Sequence, residues 1–142
     1  MKTIFLDTNV IIDFLADRGP FSLNAAEIFN VSLLGKVKIF ISSVSYNNIY
    51  YILRQSLSHT QTLKLLEELS QMSEIVDVTE AIIKKSLKSD FKDFEDAIQY
   101  NCALTVNKID FIVTRDSKDY KKSSLPVMNP HEAMSIINSA GR

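Results

Sequence analysis

A chain of 142 residues with 46% hydrophobic and 23% charged side chains has the make-up of a single globular domain spanning 1–142, which excludes a disordered tail or a fibrous repeat. Its net charge of −1 gives no electrostatic mandate for nucleic acid and does not exclude it, because acids that take up divalent cations present a locally positive site to phosphate. The lone Cys102 excludes an internal disulfide, His59 and His131 offer no zinc set, and no stretch reaches the ~20 apolar residues of a membrane span.

The first element is a short strand, Thr3 to Leu6, that runs straight into Asp7. That acid breaks the apolar run too early for a signal peptide, so the chain is expected to be soluble and cytoplasmic, with Cys102 a buried free thiol. Val10 to Leu15 has helical length, with Asp7, Thr8 or Asn9 as its cap, and Gly19-Pro20 ends the segment. Ser22 opens a second helix whose Leu23, Ala26, Phe29 and Leu33 make one apolar stripe, with Gly35 in the place of a C-terminal glycine. A second strand covers Val37 to Ile41. Ser42 or Ser43 caps a third helix carrying Ile49, Ile52, Leu53 and Leu57, and Ser58 starts a fourth with Leu65, Leu66, Leu69 and Met72.

Ile75 to Val78 is a third predicted strand, and Thr79 caps a helix with Ile83 and Leu87. Ser89 or Asp90 is the expected cap of the next helix, which places Asp93 and Asp96 one turn apart inside it. Phe111 to Thr114 is a fourth strand and Pro126 to Met128 a weak fifth. A last helix starts at Asn129-Pro130-His131-Glu132, with Asn as cap, Pro first and Glu third. Nearly all-apolar strands alternating with helices predict an α/β fold: a three-layer α/β/α sandwich with a small, mostly parallel sheet of about five strands.

In such sheets ligands bind beyond the carboxyl ends of the strands, which is where Asp7 and Asp116 fall. Taken singly, each acid has a plain structural reading: Asp7 and Asp116 as helix caps, and Asp93 as a complement to a helix dipole. Asp96 is harder to explain that way, because two like charges three residues apart weaken a helix by ~0.2–0.5 kcal/mol. If Asp7, Asp96 and Asp116 meet within ~4 Å, each pair repels by about 4 kcal/mol at an effective dielectric of 20, so a cluster implies a cation. Carboxylate oxygens without histidine or thiolate select Mg2+ or Mn2+, and the chemistry inferred is metal-assisted phosphodiester hydrolysis.

Leu6-Asp7-Thr8-Asn9, Asp93-Phe94-Glu95-Asp96-Ala97 and Val113-Thr114-Arg115-Asp116, in this order, resemble the PIN domain over nearly the whole chain. The resemblance implies a Mg2+- or Mn2+-dependent ribonuclease acting on RNA, akin to the VapC-type toxins of toxin–antitoxin systems. It further implies a homodimer and an antitoxin partner. Carried over by position, Asp7, Asp96 and Asp116 are the expected catalytic and metal-binding acids. Asp93 is expected to assist them, and Thr8 and Thr114 to support them. One position departs from the family: Asn48, or Asn47 one residue away, stands where a glutamate is usual. Either weaker metal binding with reliance on Asp93 or Glu95 follows, or a catalytically silent module that binds RNA or a protein.

Arg115 and Lys118, with Lys121 and Lys122, are expected to hold an RNA backbone, the alternative being a solvated charged turn. Tyr46, Tyr50 and Tyr51 offer either base stacking or packing against a core or dimer partner. A phosphotransfer receiver is a further alternative, disfavoured because no lysine falls at an obvious strand tip.

Overall fold

The computed structural model describes residues 1–140. Its elements in chain order are β1 (Lys2–Leu6), α1 (Thr8–Leu15), α2 (Ser22–Leu33), β2 (Val37–Ser42), α3 (Ser43–Leu53), α4 (His59–Gln71) and β3 (Glu74–Val76). These are followed by α5 (Glu80–Leu87), α6 (Phe94–Thr105), β4 (Phe111–Val113), a 3-10 turn (Ser117–Tyr120), β5 (Val127–Met128) and α7 (Pro130–Ala140). The five strands form one sheet in the order β3-β2-β1-β4-β5, and every neighbouring pair is parallel.

The strands are apolar on both sides because both sides are covered. Ile4 and Leu6 of β1, Ile39 and Ile41 of β2, and Phe111 and Val113 of β4 join a core closed by Ile11, Ile28, Phe29, Ile49, Leu69 and Ile137 from α1, α2, α3, α4 and α7. On the opposite face Phe5 and Ile112 meet Ile82 of α5, Ile98 and Cys102 of α6, and Tyr120. The expected three-layer sandwich is therefore the fold. Cys102 is fully buried, and that burial pushes its thiol up to about 11. Among the described residues no helix is long and apolar enough to cross a membrane.

Several helix ends follow from the sequence. Gly35 closes α2 at φ +77, where a side chain would be strained, and Lys36 N–H reaches back to the Val31 carbonyl at 3.0 Å. Asn129 and Glu132 exchange hydrogen bonds as a capping box on α7. Several boundaries differ from expectation, among them that of α3, which ends at Leu53 and leaves Leu57 outside the helix. β3 starts at Glu74 and ends at Val76. α6 starts later than Ser89 or Asp90 would have it: Asp93 is its cap, accepting from Asp96 N–H at 3.0 Å. The cause is tertiary, since the Phe91 ring stacks on Tyr100 at 5.1 Å and meets Tyr120 edge-on, holding that segment against the protein outside the helix.

The strand order reverses direction between β1 and β4. A crevice opens at the carboxyl edge of a parallel sheet at such a switch point, and here β1 delivers Asp7 to it while the segment after β4 delivers Asp116.

Candidate active site

Asp7 continues β1 by one ladder bond, its N–H donating to the Val113 carbonyl at 2.9 Å, and then caps α1 by accepting Thr8 N–H on Oδ1 at 2.7 Å. Its other oxygen accepts from Thr114 Oγ1 at 2.8 Å. With 4% of its surface exposed, Asp7 is a nearly buried carboxylate. Burial raises its pKa, the bonds from Thr114 and Thr8 oppose that rise, and the charge of Asp116 adds to it.

Asn9 stands between these two acids. Its Oδ1 accepts the backbone N–H of Arg115 at 3.2 Å, which fixes the amide orientation, because that N–H can only donate. Its Nδ2 then faces Asp7 Oδ2 and Asp116 Oδ2, each at 3.4 Å. Both carboxylates thus lie against one nitrogen, and Asp116 N–H is itself held by Thr114 Oγ1 at 3.2 Å.

A cleft of about 840 Å³ contains this pair, and Thr8, Asn48, Asp93, Glu95, Asp96 and Asp119 also line it. Among the described residues, six carboxyl groups therefore face the cleft, against Arg18 as the one basic residue that lines it. Three helix N-termini, those of α1, α3 and α6, gather at this edge, and their dipoles favour negative charge there. Asp96 lies in the first turn of α6, and burial, followed by the charges of Asp7, Asp93, Asp119 and Glu95, pushes it up to about 7. Glu95 is raised by burial and then by Asp7 and Asp93. The Asn48 amide donates to Glu95 Oε1 across the cleft.

Behind the acids lies a buried polar knot. Gln99 Nε2 donates to Thr8 Oγ1 and Ser45 Oγ at 2.9 Å each, and those two hydroxyls are 2.7 Å apart. It ties α6 to the first turns of α1 and α3, which fixes the helix ends that carry Asp7, Asn48 and Asp96. Gln99 follows Asp96 by one helical turn, so a polar residue on the buried face of α6 was the signal that locates it.

The folded chain therefore brings Asp7, Asp96, Asp116, Asp93, Thr8 and Asn48 to one cleft, with Thr114 immediately beneath it. Lys118 lines an adjoining depression with Lys92, Lys121 and Lys122, whose wall shares Asp93, Asp96 and Asp119 with the cleft. Arg115 does not join them. Its Nε pairs with Asp13 Oδ2 at 3.0 Å and its guanidinium covers the Phe21 ring at 4.1 Å, which places this side chain outside the lysine-lined depression. Tyr46 packs against the core, while Tyr50, bonded to His59 Nδ1 at 2.9 Å, and the 71% exposed Tyr51 line the cleft. Asn9, Gln99, Asp119 and Tyr120 are the site residues whose role sequence reasoning missed.

Among the described residues no three His, Cys, Asp or Glu groups are gathered closely enough to hold a metal ion as the side chains stand. The donor set still suits a hard ion: the six carboxyl groups lining the cleft, among the described residues, offer oxygen alone, with no histidine or thiolate beside them. Mg2+ or Mn2+ therefore fits the residues present, with Asp7, Asp96 and Asp116 as the side chains to hold it.

The raised pKa of Asp96 has a measurable consequence. Its folded value of about 7 lies above the ordinary 3.8, so the stability it contributes to the metal-free protein is complete below about pH 4 and is lost as pH rises to about 7. The metal-free melting temperature is expected to fall between pH 5 and 7, and Asp96→Asn to remove most of that slope. Thermal denaturation of both proteins in chelator checks this, and an unchanged slope in the variant contradicts it.

A family model for the PIN domain matches residues 3–118. No curated protein matches the chain. Among solved structures, the chain is similar to one in DNA-bound VapBC from Salmonella typhimurium (TM-score 0.68, 17% identity, covering 92% of this chain and 99% of that one). VapBC2 from Rickettsia felis bound to a promoter DNA fragment is also similar (TM-score 0.65, 21% identity, 89% and 98%). So is VapC20 from Mycobacterium tuberculosis, a toxin that cleaves the sarcin–ricin loop (TM-score 0.62, 14% identity, 77% and 86%).

Proposed function

Because the chain belongs to the PIN-domain family, we propose that it is a divalent-metal-dependent endoribonuclease that hydrolyses RNA phosphodiesters, and the toxin of a toxin–antitoxin pair. The observation that carries this reading is that Asp7, Asp96 and Asp116, from three distant segments, line one cleft at the switch point of the sheet. A bound Mg2+ or Mn2+ supplies Lewis acidity toward phosphoryl oxygens and eases the deprotonation of water.

The chain's own residues give that chemistry its place. Thr114 and the Thr8 N–H fix both oxygens of Asp7, Asn9 sets the separation of Asp7 and Asp116, and the Gln99 knot holds the helix starts. Lys118, with Lys121 and Lys122, binds phosphates flanking the scissile bond, a role its position beside the acids favours. The antitoxin partner and homodimer belong to this reading. Exposed Leu23, Leu33 and Leu34 are apolar surface that such assemblies cover.

A second reading, a silent PIN module that binds RNA or a protein, is favoured by the uncharged Asn48. Labelled RNA incubated with purified protein and Mn2+, or with chelator, separates the two. Metal-dependent products are expected. RNA that is bound yet intact at every metal concentration and at enzyme excess overturns the nuclease reading in favour of the silent module.

A further inference from the structure

At the start of α6, Phe94 and Glu95 are placed against ordinary hydrophobic logic. Phe94 is left 48% exposed, while its charged neighbour Glu95 turns into the cleft. Stability alone argues for the reverse, since apolar area gains from burial and a desolvated carboxylate loses. Glu95 there faces Asp7 and Asp93, and among the described residues it forms no ion pair. A glutamate serving only the helix dipole would do so equally well from solvent.

Two further observations concern the same point. The Asn48 amide reaches across from α3 to donate to Glu95 Oε1, holding the carboxylate over the cleft. Tyr120, 3% exposed, sets its hydroxyl against Asp7, to which it hydrogen-bonds, and beside Asp96 and Glu95, so one buried group marks where these three acids face one another.

We infer that Glu95 and Asn48 act as one unit, in which Glu95 supplies a further carboxylate to a divalent cation and Asn48 is its positioning residue. This deepens the metal-dependent reading above and rests on it. Asn48 then does not mark a lost charge: the charge on that side of the cleft comes from α6 instead of α3.

Glu95→Gln keeps the shape and the acceptor for Asn48 while removing the charge. Mn2+ affinity, read by electron paramagnetic resonance on the RNA-free protein, is expected to fall about 10- to 100-fold, and the metal-free melting temperature to rise because one repelling charge has gone. Asn48→Ala is expected to weaken Mn2+ binding by about tenfold. The exchange Asn48→Glu with Glu95→Gln returns a carboxylate to the cleft from α3, and should restore affinity to within a few-fold of wild type.

Unchanged Mn2+ affinity in Glu95→Gln, with a lowered melting temperature, overturns the inference and leaves Glu95 a helix-start residue. If Glu95→Gln weakens Mn2+ binding and wild type leaves RNA intact, the inference stands and the nuclease reading falls. A wild-type protein that binds no Mn2+ overturns both.

Discussion

Asp7→Asn is expected to abolish metal-dependent RNA cleavage, with a loss of at least about 100-fold, because losing groups that merely orient metal ligands already costs 10–100-fold. The substitution keeps an oxygen to accept Thr8 N–H and an amide that can meet the Thr114 hydroxyl, so the cap of α1 and the end of β1 survive. It removes a charge that burial disfavours and that Asp116 repels, so the metal-free protein should melt no lower than wild type. The two readouts point in opposite directions, and that distinguishes a functional carboxylate from a structural one. Single-turnover cleavage with Mn2+ and a melting curve in chelator test it together. Retained cleavage, or lost cleavage with a collapsed melting temperature, contradicts the account.

Arg115→Ala is expected to cost about 3 kcal/mol of stability, a fall in melting temperature of roughly 10 °C in a domain of this size. Asp13 is only 2% exposed, and its Oδ1 has no hydrogen-bond partner, so the ion pair with Arg115 Nε is the main compensation of its charge, with Arg18 contributing less. Burial raises the Asp13 pKa, and Arg115 is the first of the groups that oppose the rise. Without the guanidinium the folded pKa climbs further, so the variant's deficit is largest at neutral pH and shrinks as acid protonates Asp13. Loss of the cover over Phe21 adds to the cost. Had Arg115 served the RNA backbone instead, the variant would keep its melting temperature and lose RNA affinity. Thermal denaturation at pH 5 and pH 7.5 beside an RNA-binding curve decides between these outcomes.

The sequence made the frame of this site legible because the frame is written in strong signals. Apolar runs ending in an acid located Asp7 and Asp116 at strand tips, and parallel-sheet topology then put the tips side by side. What stayed hidden depended on neutral or distant groups. Asn9 reads as a helix cap until Arg115 N–H is seen to orient its amide between two carboxylates. Tyr120 reads as a loop tyrosine until the 3-10 turn folds its ring under α6. Arg115 looked free because its partner, Asp13, lies in α1, about a hundred residues earlier, on the face of a helix whose acid carried no motif. The start of α6 was misplaced for a similar reason: Ser89 and Asp90 are good caps locally, but the stacking of Phe91 on Tyr100 prevails over them.

Soaking crystals of the protein in Mn2+ and recording anomalous differences tests most directly whether these scattered acids form one cation site. A peak in the cleft within about 2–2.5 Å of oxygens from Asp7, Asp96 and Asp116 is the expected result. A cleft without a peak at saturating Mn2+, with the three side chains still apart, would contradict it.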